Sequence, residues 1–351
     1  MVRENKHNFN ERTNERTNER YNSVDLCKLI MAVCVVAIHT QPLVKCDSMT
    51  IVKVYEAIVN IANPFFFLSA GFLISRKAGA IDNSIKTEKV LKEYVKKIVS
   101  MYLLWTLIYL PPAIMHYSQS GNTILWNVLD YIRGLLFLGE HYNSHNLWFL
   151  LATIYGVSAI MLLLKKGIKF NKVMGISVCL MVWGFVFTEL VAVKDSLPLI
   201  VQLPVKAMWV VLGPRGRLFS GIGYISLGML YGLDRKNFCR FRYPLFIVGM
   251  LGSIMTEGVA ESIFIAFSAC GLLGIVLEIR LKDLKNYYVL RKMSTGIYFV
   301  HLYVWMSYYM LIYGTKTYGF DSFLCTVFLS ALISYLYAEL KRRSRAKQLV
   351  L

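Results

Sequence analysis

Apolar runs close to twenty residues long recur along this chain from Leu26 to the basic C-terminal segment, and polar, strongly basic stretches separate them. About 18–20 consecutive apolar residues are what an α-helix needs to cross a bilayer core. In lipid the backbone must satisfy its own hydrogen bonds, so such runs form helices. The runs place ten spans at 26–44, 52–75, 97–115, 147–164, 173–193, 218–233, 243–256, 262–279, 294–313 and 320–340. The expected fold is therefore all-α: a polytopic membrane protein with about ten transmembrane helices in one bundle. The run at 26–44 follows about 25 polar residues without a small-residue cleavage site, so it reads as a retained helix, not a signal peptide.

The net charge of +18 raises the question of nucleic acid, and its distribution answers it. With the N-terminus cytoplasmic, 31 of the 39 Lys and Arg residues fall in inner segments and 8 in outer ones. That asymmetry is the positive-inside signal. It predicts a multi-pass cell-membrane protein with both termini in the cytoplasm, in contact with the lipid bilayer and not with nucleic acid. The domains follow: a disordered cytoplasmic tail over 1–24, a membrane domain over 25–340, and a basic tail or truncated linker over 341–351. The tail carries a tandem repeat, Asn10-Glu-Arg-Thr, Asn14-Glu-Arg-Thr and Asn18-Glu-Arg-Tyr, with nothing to bury. The stretch from Ile124 to Leu138 is apolar but broken by Asn127, Asp130 and Arg133. It is expected to lie in the interface or re-enter partway.

Seven scattered cysteines, with no C-x-x-C, give neither a disulfide framework nor a zinc site. His141 and His145 are four apart, a spacing that would suit a metal on a helix, but no third ligand is evident. A solvated loop is the reading adopted, and no metal is expected. Glu257 and Glu261, one turn apart, read as solvated helix-end groups, with an amine site as the alternative.

The first span carries the chemistry. Lys28 and His39 are 11 residues apart, so they share a helix face, with Asp25 about 40° away, and lie about 16 Å apart along the axis. Ionisable groups inside a membrane are costly and mark functional sites. Asp25 and Lys28 could simply mark the helix start, with Lys28 snorkelling; His39 is harder to dismiss.

At this point the chain resembles the acyltransferase family 3 integral membrane proteins. A basic residue, ten residues and a histidine on the first helix is one of the family's motifs. Asn63-Pro-Phe-Phe-Phe-Leu-Ser69-Ala-Gly71-Phe is similar to its aromatic stretch in the second helix, with Ala70 inserted before the glycine. Tyr94-Val-Lys96-Lys97-Ile98, Asn146-Leu-Trp148-Phe149-Leu150, Pro214-Arg215-Gly-Arg217-Leu-Phe and Ser294-Thr-Gly296-Ile-Tyr298-Phe-Val-His301 follow in the family's order. Within the family, the chain resembles the membrane domain of the membrane-bound serine racemases of vancomycin resistance. Those carry a pyridoxal-phosphate racemase domain after the last helix, so the chain is expected to be either part of a longer racemase or a stand-alone relative.

The resemblance implies an O-acyltransferase that moves an acyl group, typically acetyl, from cytoplasmic acyl-coenzyme A to a hydroxyl acceptor at the outer face. It implies His39 as the catalytic base, with His301 as the second catalytic candidate. Lys28, Lys96, Lys97 and Arg215 would hold the coenzyme, and Asp25, Ser69 and Trp148 would line the substrate path. Acyl-coenzyme A, acetyl-coenzyme A above all, is the donor substrate. The alternative reading is a carrier that supplies L-serine to a fused or separate racemase domain. No internal repeat relates the two halves, which favours the enzyme.

Overall fold

A computed structural model of the chain describes residues 21–282 and 287–348. The tetrapeptide repeat of the N-terminal tail, apart from Tyr21, lies outside them. Among the described residues all regular structure is helical. The helices are α1 (Asn22–Thr40), α2 (Met49–Val59), α3 (Ala62–Ala78), α4 (Ile85–Ile108), α5 (Leu110–Ser118), α6 (Ile124–Arg133) and α7 (Trp148–Lys165). They continue as α8 (Phe170–Ala192), α9 (Leu199–Leu212), α10 (Arg217–Leu233), α11 (Arg235–Arg240), α12 (Arg242–Met255), α13 (Gly258–Glu278), α14 (Tyr287–Ile312) and α15 (Phe320–Gln348). The first helix thus begins three residues ahead of Asp25, and Asn22, Ser23 and Val24 are buried in it.

The ten expected spans are helical over most of their length, but the count of ten is approximate. Among the described residues six helices are long and apolar enough to cross a membrane, with α2 and α3 forming one of them; α4 and α5, bent by 46°, would make a seventh. The bend falls at Tyr109, just before Pro111 and Pro112, which cannot continue the hydrogen-bond ladder. Helices α10 and α12 are short, and α14 is diluted by tyrosines.

Helix α10 is the centre of the bundle and packs against α3, α7 and α8. Its crossing with α3 is close because both helices present glycine there. A Cβ on Gly228 would lie 2.0 Å from the Leu68 carbonyl oxygen, and one on Gly71 would lie 2.0 Å from that of Ile225. Small residues let backbones meet in this way where lipid gives no hydrophobic drive between helices. A second group joins α1, α14 and α15, and α13 pairs with α12.

The 124–138 stretch forms α6 and a five-residue π turn, Gly134–Leu138. Asn127 Nδ2 donates to the Tyr117 carbonyl at 3.0 Å, and Asp130 accepts from Tyr117 Oη at 2.9 Å and Arg133 Nη1 at 3.0 Å. The polar residues that interrupt the run therefore face the protein. Ile124, Leu125, Trp126 and Leu129 stay exposed, the pattern of a helix lying in a membrane interface.

Candidate active site

Two helices place the histidines. Helix α1 ends just after His39: Gln41 takes a left-handed conformation (φ 47°) and donates its N–H to the Ala37 carbonyl at 2.9 Å. Helix α14 packs beside it with His301 near its middle. The two imidazole rings meet, their centroids 5.2 Å apart and their planes at 38°. His301 is fully buried. Its Nδ1 lies 3.1 Å from the Ile297 carbonyl. A carbonyl only accepts, so the assigned tautomer has the hydrogen on Nδ1 and the lone pair on Nε2. Nε2 is buried and has no partner among the described residues.

The loop between the π turn and α7 is stitched to α14 on both sides of His301. Tyr298 Oη donates to the Asn146 carbonyl at 2.9 Å, and Asn146 Nδ2 donates back to the Tyr298 carbonyl at 2.9 Å. Asn143 Nδ2 donates to the Leu302 carbonyl at 3.2 Å. Asn143 has a φ of 57°, a left-handed conformation that asparagine tolerates better than most residues. Gly139 (φ 68°) makes the preceding turn, and a Cβ there would be 2.6 Å from Trp148 Cα.

This loop carries Glu140 and His145 into the site. Glu140 Oε2 accepts from Arg217 Nη1 at 2.9 Å and lies 3.7 Å from His145 Nδ1. The Arg217 guanidinium lies over the Trp148 ring, 4.7 Å from its centroid. Burial pushes the Glu140 carboxyl upward, but His145 and Arg217 outweigh it and hold the group below its ordinary value. The polar side chains around His39 are His301, His145, Arg217 and Lys316. Below the histidines, Phe66, Phe149 and Tyr298 form a triangle with centroids 5.6–6.0 Å apart.

The other end of α1 is a separate charged cluster. Lys28 has Asp25, Arg291 and Lys97 as its neighbouring charged side chains. Arg291 Nε lies 3.8 Å from Asp25 Oδ2.

The expected site residues therefore fall into two groups. Asp25, Lys28 and Lys97 gather at one end with Arg291; Lys96 is exposed beside them. His39, His301 and Trp148 gather towards the other end with Arg217. Arg215 is exposed at that second rim as a charge neighbour of Arg217, at the far end of the bundle from Lys28. Ser69 is buried on α3 and donates to the Phe66 carbonyl at 3.0 Å.

His141 departs from the solvated-loop reading. It is buried and stacks on Tyr131 with centroids 4.1 Å apart, and burial pushes it down to about 4. His145 turns away to Glu140, because the segment is a turn and not a helix. Glu257 is tied to Lys53 at 2.9 Å.

Sequence reading passed over Glu140, Arg291 and the bonding role of Asn146. Arg291 was hidden among basic residues whose first meaning is topology. Glu140 left one trace: it is an acid within the longest outer connection, residues 116–146.

An acyltransferase-domain family model matches residues 21–339, and the chain belongs to this family of membrane acyltransferases. Among curated proteins it is similar to an amino-acid racemase of Enterococcus faecalis, 24% identical over 345 residues that cover 93% of this chain and 47% of that protein. It is also similar to a serine/alanine racemase of Enterococcus gallinarum, 29% identical over 239 residues that cover 67% of this chain and 32% of that protein. The chain thus spans less than half the length of these relatives. No solved structure matches it.

Proposed function

We propose that this protein transfers an acyl group, acetyl in the simplest case, from cytoplasmic acyl-coenzyme A to a hydroxyl acceptor at the opposite membrane face. The observation that carries this reading is the division of α1 between two chemistries. Its first turns sit in a cationic cluster, and its last turn meets a second buried histidine. Lys28, Lys97 and Arg291 suit the coenzyme's phosphates, Arg291 through a guanidinium fork. The Lys and Arg asymmetry supports placing that end in the cytoplasm. The pantetheine arm would then run between the helices for about 16 Å to bring the thioester to His39.

In this mechanism His39 accepts the proton of the acceptor hydroxyl as general base. The oxygen bonds to the thioester carbonyl carbon, the carbon–sulfur bond breaks, and His39 returns the proton to the departing thiolate. His301, held in one tautomer by the Ile297 carbonyl, keeps its Nε2 lone pair free and its ring 5.2 Å from that of His39, where it steadies the imidazolium that forms. The Phe66–Phe149–Tyr298 triangle keeps water from the thioester.

The second reading is an amino-acid carrier, because the chain is similar to part of amino-acid and serine/alanine racemases and such enzymes need an amino acid supplied. Full-length chain in vesicles, given labelled acetyl-coenzyme A on one side and polyol acceptors on the other, separates the two. Label appearing on an acceptor supports the enzyme. Uptake of labelled serine with no acyl transfer rejects it.

A further inference from the structure

The positive-inside pattern leaves few cations on the outer side, so those that remain call for a reason. Under the orientation proposed above there are eight Lys and Arg residues there. Five are neutralised by carboxylates. Lys53 pairs with Glu257 at 2.9 Å, and Arg133 pairs with Asp130 at 3.0 Å. Lys194 and Lys206 share Asp195 at 3.2 and 2.9 Å, and Arg217 pairs with Glu140 at 2.9 Å.

Lys316 differs. No carboxylate of the described residues lies within ion-pair distance of it. Its ammonium sits 4.9 Å from the centroid of the Trp305 ring and 5.5 Å from that of Tyr318. Asp321, the nearest acid along the chain, accepts instead from Tyr308 Oη at 3.0 Å and Tyr313 Oη at 2.7 Å. The loop that carries Lys316 is fixed on both sides. Trp305 Nε1 donates to the Thr317 carbonyl at 3.0 Å, and the Gly319 N–H donates to the Thr40 carbonyl, one residue beyond His39, at 2.9 Å. A cation is thus held at the mouth of the histidine pair with its N–H donors uncommitted, and its charge acts on His39. Arg217 acts on His39 as well, with Arg215 beside it. Against these three cations stands one carboxylate, Glu140.

We propose that the acceptor is anionic: a phosphate or carboxylate lies near the hydroxyl to be acylated, and Lys316 holds it beside His39. This rests on the acyltransferase reading and names its acceptor class. The anion is not consumed. The acceptor oxygen gains the acyl carbon, the thioester loses its sulfur, and the hydroxyl proton leaves with the thiol. The same chemistry is offered by an anionic lipid headgroup with free hydroxyls and by a soluble polyol phosphate.

The test uses the full chain in phosphatidylcholine vesicles with labelled acetyl-coenzyme A. Glycerol 3-phosphate and glycerol are compared as soluble acceptors, and vesicles doped with phosphatidylglycerol supply the lipid arm. At low salt kcat/KM should favour the charged acceptor by about tenfold, and the preference should shrink as salt screens it. Lys316→Met should bring the ratio of charged to neutral acceptor close to one, and Lys316→Arg should preserve it. Label on phosphatidylglycerol identifies the lipid as the source of the anion, and label on glycerol 3-phosphate alone identifies the soluble source; either supports the proposal. Equal use of charged and neutral acceptors by the unaltered protein, or a ratio that Lys316→Met leaves unchanged, overturns it. Binding of glycerol 3-phosphate, followed by tryptophan fluorescence, separates the two readings. Binding lost in Lys316→Met with no acyl transfer to any acceptor keeps the anion site and rejects the transferase. Absence of both binding and preference rejects the anion site.

Discussion

Which partners the two ring nitrogens find decides whether a histidine inside a helix packs or reacts. In His301, whose ring lies beside His39, one nitrogen is committed to a backbone carbonyl and the other is left without a partner among the described residues. Such an orphan costs free energy unless something uses it. His39 is the more open of the two and stands at the end of its helix, where an acceptor can reach it. Lys28 sits about three turns away among other charges. Substitutions at the two positions should therefore fail differently. His39→Gln keeps side-chain size but cannot take a proton, so it should lower kcat by roughly 10²–10⁴-fold while coenzyme still binds. Lys28→Ala removes a contact felt equally in ground and transition states, so it should raise KM for acetyl-coenzyme A with a smaller change in kcat. Steady-state kinetics with coenzyme A binding measured in parallel decide this. An active His39→Gln protein would remove His39 from the chemistry.

Helices α3 and α10 hold their site residues in register because their backbones touch. Phe66 and Ser69 are on α3 and Arg217 is on α10, so any change in that crossing moves both walls of the site. Gly228→Ala places a methyl 2.0 Å from a main-chain oxygen that cannot rotate away. The helices must separate, at a cost of about 1–3 kcal/mol. We expect a lower Tm in detergent and reduced activity, whereas Gly175→Ala, where a Cβ meets nothing within 4 Å, should leave Tm unchanged or raise it. If the two variants melt alike, the close crossing is not what holds these helices.

For the whole molecule the orientation is the open quantity, and it is measurable. Reporter fusions after Lys172, Arg242 and Lys347 should all report the cytoplasm if 31 of 39 basic residues lie on that side. The fusion at Lys172 is the sensitive one. An outer signal there would mean that 124–138 crosses the membrane, which its ten-residue helix is too short to do by itself. Helices and their order were legible because bilayer thickness fixes the length of an apolar run. The number of crossings was less so: Pro111 and Pro112 bend α4 away from α5, and Tyr-rich α14 dilutes its apolar run, so hydropathy and packing part company. The Lys28 to His39 stripe was legible as well, since helical periodicity brings residues eleven apart onto one face. The meeting of His39 with His301 was not, because 262 positions separate them and only the packing of α1 on α14 sets their rings 5.2 Å apart. Glu140 and Asn146 depended on the fold in the same way. Their partners, Arg217 and Tyr298, come from helices far along the chain, and the loop conformation that delivers them rests on Gly139 and Asn143. Local sequence determined what each segment of this protein is, a membrane helix, a basic flank or an amphipathic strap, because those properties follow from length, polarity and period. Tertiary structure alone decided which charges and rings share a site, because such pairings depend on how close two helices can approach.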